Sequence, residues 1–392
     1  MSRFALRHRR LGDPGTGDQT TAETGRGGTG LSARTLGVEE EFLLVDPTTW
    51  QAVPVAEEVL ARTRSYAGTC QAELRASQVE AATGVCTTAA ELREHLLAGR
   101  RELATAAQAE GVVLVSCGTP ALEGPDPAGG PGARFALIDG LYRGVVTGYQ
   151  ACGCHVHCAV PDREHAVAVV NHLRPWLPTL LALSANSPYA HGRDTGYASW
   201  RMVEQSRFPA AGIPPWFAGL KAYQSEVERL LDCGALVDDQ MTFWLARPSP
   251  TLPTVEVRAA DAAITPDEAV LQALLVRALV DTALAELDQG REATRVNDRV
   301  AAVALWSAAR YGLAGKAVDP WTEHTGPATE LVTALVEHVC PALERTGDLR
   351  TVHTIIDRLL RDGTGAQRQR RAAAKGLWRA MRSVAAETVR DV

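Results

Sequence analysis

The sequence predicts an α+β fold with a partly antiparallel sheet and a helical C-terminal third. Strand-like and helical segments are interleaved, and polar residues alternate with apolar ones along several strands, as in antiparallel sheets with one polar face. Nearly everything after residue 266 has apolar residues at helical spacing. The predicted strands cover residues 35–45, 112–116, 153–160, 241–245 and 254–259.

The beginning of the chain differs from the rest. Residues 1–33 are rich in Gly, Thr, Asp and Arg and lack apolar periodicity, so we predict a disordered tail there and a single domain over residues 34–392. Residues 25–30, Gly-Arg-Gly-Gly-Thr-Gly, fit a dinucleotide fingerprint, but no strand precedes them and no helix pattern follows at once. We therefore predict no cofactor loop at this position.

Helices are predicted between the strands at residues 92–108, 161–172 and 175–185. Two connecting segments stand out. Residues 120–132 form a loop dense in Pro and Gly that we expect to cover a site, and residues 187–216 form a long irregular polar and aromatic segment. Long irregular segments inside compact proteins are often functional.

Charge and composition restrict the class of protein. With 40 Lys and Arg against 46 Asp and Glu, the net charge of -6 argues against nucleic acid as the main partner. The basic first residues lead into a polar stretch rather than an apolar one, and no segment supplies the roughly 20 apolar residues of a membrane span. We expect a cytoplasmic protein whose eight cysteines are reduced and which has no membrane partner.

The first candidate site is the acidic run in the strand at residues 35–45. A strand places Glu39 and Glu41 on one face and Glu40 on the other, with Val38 and Phe42. Two adjacent carboxylates repel each other unless a cation joins them, and a hard divalent ion with oxygen ligands fits that need. The alternative is a solvated acidic edge of the sheet.

A second acidic pair consists of Glu73 and Glu80. Their odd separation would place them on opposite faces of a regular strand. Only a turn or a bulge between them would let both side chains reach one site. The pattern alone leaves both residues as open candidates.

Two histidines follow the same two-residue spacing. His155 and His157 share one strand face, whereas Cys154 and Cys158 lie on the other. This parity, together with the unusual spacing, argues against a structural zinc site. Hydrogen-bonded core histidines are the alternative, and which imidazole would face a site stays open.

The last pair is Glu256 and Arg258, which share a face while Val255 and Val257 point to the core. A simple ion pair along the strand is the alternative. Three pairs at the same spacing on separate strands nevertheless outline one polar sheet face. Carboxylates, imidazole and guanidinium on one face suit phosphoryl transfer from magnesium-bound ATP, because that chemistry depends on charge neutralisation and positioning.

Five motifs in order then give a resemblance to a known family. The chain resembles bacterial carboxylate–amine ligases of the type 2 glutamate–cysteine ligase family, in the glutamine synthetase-like superfamily. The motifs are Thr-Leu-Gly-Val-Glu-Glu-Glu-Phe at 35–42, Ser-Gln-Val-Glu-Ala-Ala-Thr-Gly-Val-Cys at 77–86, Gly-Cys-His-Val-His at 153–157, Ala-Leu-Ser-Ala-Asn-Ser-Pro-Tyr at 182–189 and Thr-Val-Glu-Val-Arg at 254–258.

The resemblance implies a curved, mainly antiparallel sheet whose concave face binds ATP and two or three Mg²⁺ ions, with helices packed outside. It implies that Arg258 and Glu256 are catalytic, with Arg258 stabilising the transferred phosphoryl group. It suggests substrate binding by Trp200, Arg201 and Arg247. The metal and nucleotide ligands implied are Glu39, Glu41, Glu73, Glu80, His155, His157 and Glu256.

The implied reaction is ATP-dependent amide formation through an acyl phosphate, with glutamate and cysteine as the suggested small-molecule substrates and a homodimer as the expected assembly. An ATP-dependent phosphotransferase of the same fold and an inactive relative are the alternatives. One departure matters, because Leu245 stands where the family usually has an acidic residue. If that carboxylate lies near the site, its loss would alter substrate choice or catalysis.

The basic run at residues 368–371, with Lys375, Arg379 and Arg382, is predicted to be a solvated helix face. Contact with phosphates or with a partner subunit is the alternative.

Overall fold

The computed structural model describes residues 33–392 except for residues 65, 123 and 125–128. The predicted tail, apart from residue 33, and the glycine-rich run at 25–30 lie outside the described residues. The strands are β1 (Leu36–Val45), β2 (Gly68–Ala72), β3 (Gln78–Thr83), β4 (Val113–Val115), β5 (Gly153–Ala159), β6 (Tyr189–Ala190), β7 (Arg193–Asp194), β8 (Ala211–Gly212), β9 (Phe243–Trp244), β10 (Ala246–Pro248), β11 (Thr254–Asp261), β12 (Lys316–Val318) and β13 (Thr325–Pro327).

Helices fill most of the remaining chain. They are α1 (Ala56–Ala61), α2 (Ala89–Ala109), α3 (Ala133–Tyr142), α4 (Arg163–Leu173), α5 (Leu177–Ser184), α6 (Trp200–Gln205), α7 (Leu220–Asp232), α8 (Pro266–Leu287), α9 (Asp298–Tyr311), α10 (Ala328–Thr346), α11 (Leu349–Asp362), α12 (Gly365–Ala373) and α13 (Leu377–Thr388). None of the helices among the described residues has the length and apolar character needed to cross a membrane.

One seven-stranded sheet organises the fold. Its order is β10-β11-β5-β1-β3-β2, and β4 pairs with the end of β1. Every pairing in this sheet is antiparallel. The predicted α+β class with a mainly antiparallel sheet is confirmed, and the chain after residue 266 is helical except for the β12–β13 hairpin and the segments that connect the elements.

One layer of helices covers one face of the sheet. Apolar side chains of β1, β5 and β11 pack with α4, α5 and α8 in the largest buried cluster, represented by Val38, Val156, Val257, Leu180 and Leu274. Most of α8 is buried around its whole circumference, as expected of a helix in the centre of a large core. Because the apolar side chains of β1, β5 and β11 point to this core, the alternate residues point to the other face.

Local signals explain where the two long helices of this layer begin. The hydroxyl of Thr88 accepts a hydrogen bond from the Glu91 backbone N–H at the start of α2, at 3.1 Å. Thr265 caps α8 in the same way through the N–H of Glu268, and Pro266 occupies the first turn, where its missing N–H costs no hydrogen bond.

The predicted strand at residues 241–245 is wrong in its extent. Two short strands, β9 and β10, flank Leu245, and Met241 belongs to a single 3₁₀ turn. The chain changes partners here, since the Leu245 N–H donates to the Gly212 carbonyl whereas the Leu245 carbonyl accepts from Arg258. β9 pairs with β8 in a separate two-stranded sheet, whereas β10 belongs to the main sheet beside β11.

A buried ion pair joins the sheet to the helices behind it. Glu40 is 2% exposed and Arg100 of α2 is fully buried, and the guanidinium binds both carboxylate oxygens at 2.6 and 3.0 Å. The remaining Arg100 donors bind the carbonyl oxygens of Ala263 and Thr388, at 2.7 and 3.0 Å. One guanidinium thus connects β1, the start of the α8 region and the end of α13.

We expect Arg100→Met to destabilise the fold by about 3–5 kcal/mol, because it leaves the Glu40 carboxylate buried without its partner. Urea unfolding, followed by circular dichroism, measures the free energy of unfolding. Arg229→Ala is the matched control, since it removes an exposed i,i+3 pair with Glu226 worth less than about 1 kcal/mol. Equal destabilisation by the two changes would contradict the role given to the buried pair.

Candidate active site

The face of the sheet opposite the helices carries the polar pairs that the sequence predicted. Strand register places Glu41 opposite Glu80, Glu39 opposite His155, and Glu256 opposite His157. These residues, together with Glu73, Arg247 and Arg258, line one cavity of about 310 Å³. The structure therefore confirms that the predicted pairs on β1, β5 and β11 lie on one face of the sheet.

A hairpin brings the two residues of the second acidic pair together despite their odd separation in sequence. β2 and β3 are antiparallel, and Glu73 follows the end of β2 while Glu80 lies within β3. The intervening residues turn, with the Gln78 N–H donating to the Arg75 carbonyl at 2.9 Å. Carboxylate oxygens of Glu41, Glu73 and Glu80 consequently lie within 4.8 Å of one another.

A second group of potential ligands lies beside the first. One atom each of Glu39, His157 and Glu256 lies within 4.8 Å of the others. His157 Nε2 is 3.2 Å from Glu39 Oε1, while His157 Nδ1 is held by the Thr254 hydroxyl at 3.0 Å. A second polar contact on the far ring nitrogen is how ligating imidazoles are usually oriented.

His155 connects the two groups. Its Nδ1 lies 3.4 Å from Glu39 Oε2, and its Nε2 lies 3.7 Å from Glu41 Oε1 without a hydrogen bond among the described residues. Burial, followed by the Arg258 charge, lowers the pKa of His155 to about 4. Both imidazoles therefore face the cavity, and His155 is neutral at pH 7, the form that can bind a metal.

Two arginines compensate the charge of Glu256. Arg247 binds it through Nε and Nη2 at 2.8 and 3.2 Å, and Arg258 forms a further ion pair with it. Burial alone would raise the pKa of Glu256, but the charges of Arg247 and Arg258 outweigh it and hold that pKa well below its usual range. Arg247 also donates to the Thr242 carbonyl at 2.6 Å, so its position is fixed from two sides.

Three other carboxylates of the cavity, those of Glu41, Glu73 and Glu80, have raised pKa values instead. Burial and then the charge of Glu41 raise the pKa of Glu73 to about 7. Burial and then the charge of Glu73 raise the pKa of Glu80 well above its usual range, and burial also raises that of Glu41. A polar face with three crowded carboxylates gains stability from a divalent cation, which favours their charged forms together.

Sequence reasoning missed much of the cavity wall. Helix α3, which the sequence analysis did not predict, supplies Arg134, Phe135 and Ile138, directly after the loop at 120–132 that was expected to cover a site. β2 supplies Gln71, which donates to Glu80 Oε1 at 2.6 Å. Gln71 stands two residues before Glu73, so the alternation used for the other strands could have found it.

Two predicted substrate-binding residues are not brought to the wall of this cavity. Trp200 lines a separate cavity with Pro120, Gln150 and Glu204. Arg201 is fully buried, 3.9 Å from Asp261, and its Nη2 donates to the Arg258 carbonyl at 3.3 Å. Residues on a helix of six positions point in several directions, so adjacent residues of α6 (Trp200–Gln205) do not share a site.

Arg201 instead lies against the floor of the cavity. A methyl group added at Gly153 would come within 2.3 Å of Arg201 Nη2 and 2.8 Å of His155 Nε2. Only a glycine at position 153 leaves room for this guanidinium beside β5. The Gly153 N–H donates to Glu41 Oε2 at 2.5 Å, so the same residue also orients a carboxylate of the cavity.

The departure at Leu245 has a structural answer. Its side chain is 1% exposed and belongs to the apolar core with Val255 and Leu274. Leu245 does not line the cavity described above. The expectation of a charge missing from the site itself is therefore not met, because the side chain points into the core.

Comparison with known proteins identifies the family of this chain. The model of the family described as "Glutamate-cysteine ligase family 2(GCS2)" matches residues 35–392. A Saccharopolyspora erythraea protein named "Putative glutamate--cysteine ligase 2-2" is 55% identical over 347 residues, which cover 87% of this chain and 89% of that protein. A Rhodopirellula baltica protein named "Putative glutamate--cysteine ligase 2" is 40% identical, covering 91% of this chain and 97% of its own.

Solved structures share the fold at low sequence identity. The glutamate–cysteine ligase of Francisella tularensis in complex with AMP superposes with a TM-score of 0.67 at 13% identity, covering 91% of this chain and 89% of that chain. The ligase PafA, solved in complex with the ubiquitin-like protein Pup, gives a TM-score of 0.51 at 13% identity and covers 90% of this chain and 68% of that chain. With its motifs, its sheet and these relatives, the chain belongs to glutamate–cysteine ligase family 2.

Proposed function

We propose that residues 34–392 form one catalytic domain that joins a carboxylic acid to an amine at the expense of ATP, through an acyl phosphate. The single observation that carries this proposal is the convergence of two carboxylate groups and Arg258 in one cavity. Family membership supports ligase chemistry in general, and the cavity offers the residues that such chemistry requires.

The chain's own residues fit divalent cations. Glu41, Glu73 and Glu80 form an all-oxygen group, and Glu39, His157 and Glu256 form a mixed one. Carboxylate oxygens are the ligands that Mg²⁺ favours, and in the first group burial raises the pKa values of all three carboxylates. Bound Mg²⁺ ions would neutralise nucleotide phosphates and the charge that develops during phosphoryl transfer.

Nucleotide binding is supported by the shared fold. The Francisella tularensis ligase was solved with AMP. In this chain the same cavity has an apolar side, formed by Phe135, Ile138, Tyr149 and Phe243, beside the charged side formed by the carboxylates and arginines. Such a division suits a ligand with an aromatic ring at one end and phosphates at the other.

Arg258 is placed to act on the transferred phosphoryl group. An oxygen of the substrate carboxylate attacks the γ-phosphorus, the bond to ADP breaks, and the acyl phosphate forms. The amine then attacks the acyl carbon, phosphate leaves, and the amine loses a proton. Arg258 is held by Glu256 and, at 3.3 Å, by His155 Nδ1, so its positive charge is fixed before the reaction begins.

Glutamate and cysteine are the pair that we propose as substrates, because the relatives are named for them. Arg247 is the proposed contact for the acid substrate. It lines the cavity and is 5% exposed, and its own pairing with Glu256 fixes its orientation.

The proposed reaction predicts ADP release that requires Mg²⁺, ATP and both substrates. The purified full-length chain is incubated with glutamate and cysteine, singly and together, and the products are identified by mass spectrometry. An amide product that appears only with both substrates is the expected result. ADP release with glutamate alone, together with an acid phosphate product, would show a phosphotransferase instead.

Glu41→Gln is expected to remove the rise in melting temperature that Mg²⁺ gives the unaltered protein, and to abolish ATP turnover, because one oxygen ligand loses its charge. Differential scanning fluorimetry with and without Mg²⁺ measures the first effect. Glu58→Gln is the control, since Glu58 is exposed on α1. A Mg²⁺-dependent rise that survives in Glu41→Gln would remove this carboxylate from the proposed ligands.

Arg258→Lys keeps the positive charge but loses the planar fork that binds phosphoryl oxygens. We expect turnover to fall by roughly 10²–10³-fold, the loss typical of a preorganised donor to a transition state. The Mg²⁺-dependent rise in melting temperature should remain. Steady-state kinetics with saturating ATP distinguishes this outcome from weaker nucleotide binding, which would raise the KM for ATP and leave kcat unchanged.

A further inference from the structure

A basic depression lies between the last two helices, far along the chain from the strands of the cavity. α12 and α13 pack against each other and enclose a depression of about 470 Å³. Small side chains, those of Ala372, Ser383 and Ala386, line part of it. Four exposed cationic side chains line it as well, and they are Arg371, Lys375, Arg379 and Arg382.

The neighbouring arginines of the same basic run are neutralised. Arg368 pairs with Glu268 and Glu387, the latter at 2.8 Å. Arg370 binds Asp194 through two donors, at 2.7 and 2.8 Å. The prediction of a solvated helix face is therefore wrong for Arg368, whose side chain is 15% exposed between its two acidic partners, and Arg370 is also held by an acid.

The four cations around the depression form no ion pair within the described part of the chain, and the Arg371 guanidinium donates to the Asp362 carbonyl oxygen. The whole chain has a net charge of -6. A group of four cations without acidic partners is unusual on the surface of a protein with a net negative charge. Their mutual repulsion is relieved only by an anion from outside the chain.

Arg379 is oriented for such an anion. Its guanidinium carbon lies 4.7 Å from the centroid of the Trp378 ring, and Trp378 is 43% exposed. An aromatic ring beneath a guanidinium leaves the N–H groups at the edge of the plane free to donate. That edge matches the spacing of two phosphate oxygens.

We propose that this depression binds a small anion with two or more phosphoryl groups. The four cations match several negative charges at once, and the small side chains that line the depression leave room for an anion. The negative charge of the rest of the chain disfavours a long polyanion such as RNA, which would also meet the acidic surface. The depression shares no lining residue with the catalytic cavity, so this site is separate from the proposed ligase function.

Isothermal titration of the full-length chain with pyrophosphate tests the proposal. EDTA is present so that no metal-dependent binding occurs in the catalytic cavity, and citrate serves as a probe of similar charge without phosphoryl groups. We expect pyrophosphate to bind and citrate to bind at least about tenfold more weakly, because citrate lacks the compact oxygen pairs that fit guanidinium groups.

The paired variants identify the site. Arg379→Ala with Arg382→Ala is expected to weaken pyrophosphate binding at least about tenfold. Arg350→Ala with Arg361→Ala removes the same charge from exposed positions on α11 and should leave binding unchanged. All four side chains are exposed, so melting temperatures should match that of the unaltered protein.

Three results would overturn the proposal. They are the absence of pyrophosphate binding by the unaltered protein, equal binding of citrate, and equal loss of binding in the two double variants. Binding of a single-stranded RNA oligonucleotide in the absence of pyrophosphate binding would also reject a small anion as the ligand.

Discussion

The strict alternation of side chains along β1 is the constraint on which the rest of the structure depends. Three consecutive glutamates divide between two environments, with Glu40 on the helical side and Glu39 and Glu41 on the cavity side. Glu40 can be buried only because the Arg100 guanidinium binds both of its carboxylate oxygens. Shifting β1 by one residue would exchange these environments and leave two carboxylates in the apolar core.

Charge compensation within the cavity is uneven, and this unevenness has chemical consequences. Glu256 is matched by Arg247 and Arg258, so it is ionised and held in place without help from a ligand. Among the described residues, Glu73 and Glu80 have no such cation beside them. Burial and the charges of neighbouring carboxylates raise their pKa values. One side of the cavity is therefore preorganised by the protein itself, whereas on the other side Glu73 and Glu80 lack a matching cation among the described residues.

The same rule of matched and unmatched charge applies at the other end of the chain. Arg368 and Arg370 fasten the C-terminal helices to the body of the protein through Glu268 and Asp194. Arg379 and Arg382 face the depression without an acidic partner among the described residues. All of these arginines belong to one basic region of the sequence. Only the packing of the helices separates the arginines that pair with acids from those that we propose bind an anion.

The sequence by itself determined the α+β class, four of the seven strands of the main sheet and the faces on which Glu39, Glu41, His155, His157 and Glu256 lie. Strand alternation repeats every two residues and follows from backbone geometry alone, so local pattern is sufficient for it.

Tertiary structure decided which of these faces meet and what surrounds them. The β2–β3 hairpin brought Glu73 to Glu80, α6 carried Trp200 and Arg201 away from the cavity wall, and the change of strand partners turned Leu245 into the core. Each of these outcomes depends on pairing between segments distant in sequence, and no periodicity within a segment encodes the position of its partner.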